Sequence, residues 1–348
     1  MKFYKYQGAG NDFLIADNRD GHITEKDGVL TAVLEDGTLW SRSIADLCDR
    51  RYGVGADGLM LLDAGTKQRA VRTTLDGDTA GTSSEGNSDG TDFHMTYFNS
   101  DGSGGMMCGN GGRCIVAFAY DCGVTGDVDF IEKSPEPMLN QTCNQSKYDR
   151  QGSNVGKAGY LVKYSFTAAD GPHEAYIYED NQVTKIIGLM MKDVQTADHF
   201  ERLTGVSVES EGYFLDTGTR HYVRFVEDLD KYDIVTEGRD IRYNAQELQP
   251  VGANVNFVEP CEDFLKIRTY EKGVEDETFA CGTGIVASAL AAYIRGVLPK
   301  STSSNGRIFY DIRARRDHLM VDFLPSEQGV AQQIFLTGPA AKVCEILL

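Results

Sequence analysis

One short phrase occurs twice in this chain, as Cys108-Gly109-Asn110-Gly111 and as Cys281-Gly282-Thr283-Gly284. Each copy heads a run of small apolar residues, Arg113 to Tyr120 and Ile285 to Ile294, that reads as a helix. The two copies stand about half the chain apart, and each is approached by turn-rich, strand-like sequence. A repeat of that size is far longer than a solenoid unit. It predicts two similar α/β lobes with a cleft between them and one cysteine from each lobe at that cleft.

Size and charge narrow the classes. A chain of 348 residues buries a large core and fits two domains. The formal net charge of −18 repels nucleic acid and anionic membrane surfaces. No apolar run approaches the length that spans a bilayer. The start, Met1 to Gln7, reads as a strand with no signal-peptide pattern before it, so the expected place is the cytoplasm. None of the eight cysteines forms a Cys-x-x-Cys pair, and no nearby His completes a zinc set with Cys108 and Cys114. No metal is expected, and most of the thiols read as small buried hydrophobes.

Strands are predicted at Phe3–Tyr6, Phe13–Ala16, Leu59–Leu62 and Tyr160–Tyr164, with a turn at Gly8-Ala9-Gly10-Asn11. A short helix capped by Ser43 is predicted over Ser43 to Arg51. Further strands are predicted at Glu174–Tyr178, Gln182–Leu189, Gly212–Thr217, His221–Val226, Asn254–Glu259, Phe264–Tyr270, Ile308–Ala314 and His318–Phe323. Residues 64–91, 134–159 and 300–306 are polar and aperiodic and read as insertions. The second of these is the expected join, dividing the chain into 1–158 and 159–340.

A cysteine at a helix start meets unpaired N–H groups and the positive end of the helix dipole. Its thiol ionises more readily than the free value of about 8.5. Glycines beside it let backbone N–H groups approach an anion closely. Gly109-Asn110 and Gly282-Thr283 therefore read as two halves of a cradle for one carboxylate. An amino acid held there has its α-carbon between two sulfurs. One thiolate takes the α-proton and the other thiol returns a proton to the opposite face. This chemistry needs no cofactor, and the chain has no Walker A motif and no complete dinucleotide fingerprint.

At these residues the chain resembles the diaminopimelate epimerase family. The resemblance runs through Gly8-Ala9-Gly10-Asn11-Asp12-Phe13, Gly53-Val54-Gly55-Ala56-Asp57-Gly58 and Phe98-Asn99-Ser100-Asp101-Gly102-Ser103. It continues through Met107 to Cys114, Asn254 to Val258, Arg268 to Thr278, Ala280 to Gly284 and Thr337 to Ala340. It implies an α/β fold of α+β type, with two pseudo-symmetric lobes, each a curved, mainly antiparallel sheet around a central helix. It implies a last strand, 341–348, returning to the first lobe. It also implies interconversion of LL- and meso-2,6-diaminopimelate on the route to lysine and peptidoglycan, without cofactor or metal, by a cytoplasmic homodimer.

By the same resemblance Cys108 and Cys281 are the two bases, with Cys281 accepting the proton in the LL-to-meso direction. Asn11, Asn99 and Asn254 match substrate contacts, and Gly109, Asn110, Gly282 and Thr283 surround the carboxylate. Glu271 supports catalysis and binds the substrate ammonium, and His221 helps order the site near a cysteine. The chain departs from the family at three points, all at the distal end of the substrate. Thr219 stands where a polar side chain touches that end, Arg220 replaces a proline, and Lys272 replaces an arginine. Lys keeps the charge but loses the two-pronged grip on a carboxylate. Two alternatives stand beside this reading: a two-cysteine racemase of another amino acid, and a thiol redox or metal-binding protein using Cys108 and Cys114.

Overall fold

The structure, a computed structural model, describes residues 1–67, 90–105, 108–127 and 161–348. The predicted insertions over 64–91 and 134–159 lie largely or wholly outside these residues. The chain gathers into two units. The first holds Met1–Asp129, Leu161–Leu189 and Ala340–Leu348, and the second holds Met190–Pro339.

In the first unit β1 (Lys2–Gly8) turns into β2 (Asn11–Asn18). The turn residues Ala9 and Gly10 both have positive φ, 51° and 95°, the backbone that joins two strands in a two-residue hairpin. This sets Gly8 opposite Asn11 and leaves Asn11 at the head of β2. A small antiparallel sheet follows: β3 (Ile23–Lys26), β4 (Val29–Val33) and β5 (Leu39–Ser43). Helix α1 (Ile44–Cys48) starts at Ser43, whose side chain accepts from the Asp46 N–H as the sequence predicts. Trp40, Ile44 and Leu47 pack with Phe3, Leu14, Ala16, Leu59 and Leu61, so one face of the main strands is covered here.

The main sheet continues through β6 (Gly58–Ala64), parallel to β2, and β7 (Phe93–Asn99), antiparallel to β6. Helix α2 (Gly109–Asp121) comes next. Then β8 (Val162–Ala168) runs parallel to β7, with Phe93 opposite Phe166, and β9 (Gly171–Asp180) and β10 (Thr184–Met190) follow antiparallel. The chain's last residues pair with both β10 and β1, Lys2 lying opposite Leu347. Pairing thus closes from β1 round to β1 again. A closed ring has no open strand edge, and its interior holds α2.

The second unit repeats this order. It opens with β11 (Ala197–Phe200), β12 (Gly212–Asp216) and β13 (Arg220–Phe225), then helix α3 (Ile234–Asn244). Next come β14 (Asn254–Pro260), β15 (Leu265–Glu271) and β16 (Asp276–Thr278), then helix α4 (Gly282–Arg295). It ends with β17 (Ser301–Thr302), β18 (Ile308–Arg313), β19 (His318–Pro325) and the first part of the long β20 (Ala331–Leu347), whose end from Ala340 belongs to the first unit. Strands β12 to β15 pair antiparallel, parallel, antiparallel, as β1, β2, β6 and β7 do. After the helix, β18 lies parallel to β15 and β19 antiparallel to β18, as β8 and β9 follow β7.

This order corrects the expected division at 158/159. Each cysteine-headed helix stands in the middle of its unit, and three or four further strands follow it. The strands at 162–168, 171–180 and 184–190 therefore belong with the first unit, and the division falls at Leu189/Met190. The polar stretch 134–159, expected as the join, lies outside the described residues.

Both central helices are buried on nearly all sides, which requires an apolar circumference and not a stripe. In α2 every residue from Cys114 to Ala119 is fully buried. Phe118 meets Tyr4 and Tyr6 at ring distances of 4.9 Å and 5.8 Å. Replacing Phe118 with Ala leaves a cavity inside the closed sheet and is expected to lower stability by about 3–5 kcal/mol. A denaturant midpoint close to that of the parent protein would contradict this placement of α2.

Candidate active site

Each repeated cysteine is the N-cap residue of its buried helix. Cys108 has φ −110° and ψ 152°, and Cys281 has φ −107° and ψ 112°, both extended. Both sulfurs are half-buried, and the first-turn N–H groups of Gly-x-Gly follow immediately. The helices begin at Gly109 and Gly282, three or four residues earlier than the apolar pattern indicates.

The two sulfurs have different neighbours. Cys108 caps its own helix, its Sγ accepting from the Gly111 N–H at 3.2 Å. A Cβ on Gly111 would stand 3.3 Å from that sulfur, so the second glycine of the phrase keeps the cap in reach. Cys281 does not cap α4; its Sγ lies 3.4 Å from the Thr283 hydroxyl.

Around Cys108 a chain of polar groups fixes two asparagines. Arg113, fully buried in α2, donates to Asn110 Oδ1 at 2.8 Å and to the Gly109 carbonyl at 3.2 Å. With its oxygen held by a guanidinium, Asn110 turns Nδ2 to Asn11 Oδ1 at 2.6 Å. Asn11 in turn donates through Nδ2 to Asp57 at 2.9 Å. Asp57 and Asp12 share the Arg50 guanidinium, and Lys5 joins at 2.8 Å from Asp12. Those hydrogen bonds, from Arg50 first and then Lys5, hold the half-buried Asp12 carboxyl below its ordinary value against the opposing effect of burial. Both amides are thus oriented from one cation to one carboxylate. The turn motif around Asp57 and the Arg after the first phrase were visible in sequence, but their link to Asn11 and Asn110 depends on strand pairing. Asn99, at the end of β7, donates to Ser103 Oγ at 3.0 Å in the turn that follows.

In the second unit the predicted residues converge on His221. Its Nε2 lies 2.9 Å from both Thr219 Oγ1 and Thr283 Oγ1, and those hydroxyls are 3.0 Å apart. Its Nδ1 meets Asn256 Nδ2 at 3.0 Å, and Asn256 Oδ1 accepts from Thr269 at 3.0 Å. Asn256 lies two residues from Asn254 on one strand, hence on the same face. Asn254 holds two backbone groups, accepting from the Lys272 N–H at 2.9 Å and donating to the Arg220 carbonyl at 3.2 Å. Glu271 ends β15, half-buried beside Lys272.

The three departures have distinct settings. The Thr219 hydroxyl is engaged with His221 and Thr283. The Arg220 guanidinium lies 5.0 Å from the Phe214 ring on the neighbouring strand, a local cation–π contact. Lys272 is exposed, and its ammonium makes no ion pair among the described residues.

The redox and metal alternative loses its second thiol. Cys114 is fully buried inside α2, and burial pushes its thiol well above the ordinary value. All seven described cysteines are free thiols. Among the described residues no group of three or more His, Cys, Asp or Glu side chains could hold a metal, and no helix is long and apolar enough to cross a membrane.

In each unit strands pack around a central buried helix that has a cysteine at its start, an architecture also present in solved epimerase structures. Solved structures share this fold at low identity. A PhzF-family phenazine biosynthesis protein from Bacillus anthracis has a TM-score of 0.59 at 14% identity, covering 100% of this chain and 99% of that one. A hydroxyproline epimerase from Agrobacterium vitis has a TM-score of 0.55 at 12% identity, covering 99% and 91%. The family model for diaminopimelate epimerase matches residues 3–146 and 213–308. The diaminopimelate epimerase of Flavobacterium psychrophilum is 36% identical over 99% of both chains. That of Aquifex aeolicus is 32% identical over 99% of this chain and 96% of its own. The chain belongs to the diaminopimelate epimerase family.

Burial lowers the His221 pKa from its ordinary 6.5 to about 3. Between those values the unfolded chain binds more protons than the native one, so stability rises with pH there. It is lost as pH falls from about 6.5 towards about 3. A His221→Gln variant is expected to show a shallower slope of unfolding free energy across that window; an unchanged slope would place the imidazole in water. Gly284 makes a second test. A Cβ there would sit 2.3 Å from Asn256 Oδ1 and 3.2 Å from His221 Cε1. Gly284→Ala is expected to cost about 1–3 kcal/mol, read as a lowered thermal midpoint, while an unaltered midpoint would mean that Asn256 yields freely.

Proposed function

We propose that the protein interconverts LL- and meso-2,6-diaminopimelate by a two-base transfer in which Cys281 and Cys108 face opposite sides of the substrate α-carbon. In the LL-to-meso direction the Cys281 thiolate takes the α-proton, leaving its electron pair on carbon and carboxylate. The Cys108 thiol gives its proton to the other face. The enzyme ends with the two protonation states exchanged, ready for the reverse reaction.

The observation that carries this reading is the matched setting of the two cysteines, each an extended N-cap residue on a buried Gly-x-Gly helix start. N–H groups and helix dipoles at those starts stabilise the charge that builds on the carboxylate. In this reading Gly109, Asn110, Gly282 and Thr283 hold the α-carboxylate, and Asn11, Asn99 and Asn254 contact the substrate. Glu271 takes the ammonium. Lys272, in no ion pair among the described residues, meets the distal carboxylate as a point charge, without the fork an arginine offers. Thr219 acts through His221 and Thr283 on the proton-transfer end, given where its hydroxyl bonds. The same family reading supports a homodimer in the cytoplasm, which light scattering of the purified protein and fractionation of cells would check.

Incubation with LL-diaminopimelate in deuterated water is expected to place label at the product α-carbon. Cys108→Ala and Cys281→Ala are each expected to lower turnover by at least about 10²–10⁴-fold. Label appearing only with another amino acid would replace the substrate, and near-parental turnover in either variant would end the two-base scheme.

A further inference from the structure

We propose that Asn256 is a positioning residue: it holds His221 with its proton on Nε2, and the Thr219 and Thr283 hydroxyls then carry that polarity to the sulfur of Cys281. The proposal rests on Cys281 being a base, as in the functional reading above.

The argument starts at the Asn256 amide. Its Nδ2 lies 3.4 Å from the Tyr222 carbonyl, which only accepts, and its Oδ1 receives the Thr269 hydroxyl proton at 3.0 Å. Turning the amide over would set oxygen against that carbonyl, so the partners fix which end is nitrogen. The same Nδ2 faces His221 Nδ1 at 3.0 Å. Nδ1 must therefore accept, and a neutral ring then carries its proton on Nε2. The polar partners of the ring are Asn256, Thr219 and Thr283, none of them charged, and burial alone disfavours the imidazolium. His221 is thus a fixed donor and not a base.

The Nε2–H has two hydroxyl oxygens within reach, Thr219 Oγ1 and Thr283 Oγ1, each at 2.9 Å. It donates to Thr219, which donates to Thr283, or it donates to Thr283 directly. In either arrangement Thr283 keeps its own proton for another acceptor, and Cys281 Sγ stands 3.4 Å away. A thiolate there attracts that proton more strongly than a neutral hydroxyl does, because a charge-assisted bond is about twice as strong. A ring with its proton on Nδ1 would instead take the Thr283 proton at Nε2 and leave the sulfur without it. Gly284 completes the device, since any side chain there would displace Asn256 Oδ1.

The test is made on the full-length protein. Nitrogen-15 spectra of labelled histidine at about pH 7 are expected to show His221 Nε2 protonated and Nδ1 unprotonated. In Asn256→Asp the new carboxylate accepts only, so Nδ1 is expected to gain a proton. Thr283→Val keeps the backbone N–H assigned to the α-carboxylate and loses only the hydroxyl, so it is expected to lower kcat roughly tenfold with little change in KM, the loss of one hydrogen bond to a charged group. Thr283→Ser, which keeps the hydroxyl, is expected to restore it. Protonated Nδ1 in the parent protein overturns the proposal, as does parental kcat in Thr283→Val. If Asn256→Asp fails to fold, the parent spectrum and the Thr283 pair still decide. If the parent protein does not turn over diaminopimelate, the functional reading falls and the spectrum alone judges the tautomer.

Discussion

A helix enclosed by a closed sheet has its side chains buried, but its first N–H groups have no partners within the helix. The rest of this structure depends on how those groups are met. An anion or a polar cap must reach them, and no bulk can stand in the way. Glycine at the start of α2 and α4 removes the bulk, and a cysteine as N-cap residue places a sulfur near the positive end of a dipole. Helix propensity argues against Gly-rich starts. Burial of the apolar turns that follow outweighs it, as the fully enclosed Cys114 to Ala119 shows.

The same scaffold gives the two cysteines different surroundings through the single variable position of the phrase. Asn110 extends towards Asn11 and joins a line of groups running from Arg113 to Asp57. Thr283 is shorter and carries a hydroxyl that both accepts and donates, so it stands between His221 and Cys281. In the first unit the sulfur receives a backbone N–H; in the second it lies beside a hydroxyl.

The sequence was most legible where one local rule decides. Ser43 capped its helix, and the alternating strands formed close to the expected bounds. Legibility failed where two rules compete. The helix starts were placed late because Cys-Gly-x-Gly looks like a turn taken alone. Helix α3 carries little apolar periodicity because it is mostly polar, burying only Ile234, Gly238 and Ile241. Its cap signal, Asp233 accepting from the Thr236 N–H, was nonetheless present. Strand β7 was missed although Phe93, Met95 and Phe98 are buried in it, its start adjoining a polar insertion. The division between units could not be read because β8 pairs with β7 across a long polar interval, and pairing at that range has no local mark.

For the site, residues inside the motifs were legible and those bracing them were not. Asn256 stands in the same Asn-Val-Asn run as Asn254, yet their tasks differ. Asn254 ties the ends of two strands together through backbone groups, and Asn256 meets a buried imidazole. Alternation puts both on one face, but only the parallel pairing of β13 with β14, His221 opposite Asn254, sets the second asparagine under the ring. Thr219 shows the same limit. The resemblance assigns it to the distal end of a substrate, while its hydroxyl lies with His221 and Thr283. Of the three departures, Lys272 is the one whose side chain is exposed and in no ion pair among the described residues. Arg220 is engaged by the Phe214 ring and Thr219 by His221. An ammonium is a point charge that meets a carboxylate over a wider range of angles than a guanidinium fork does.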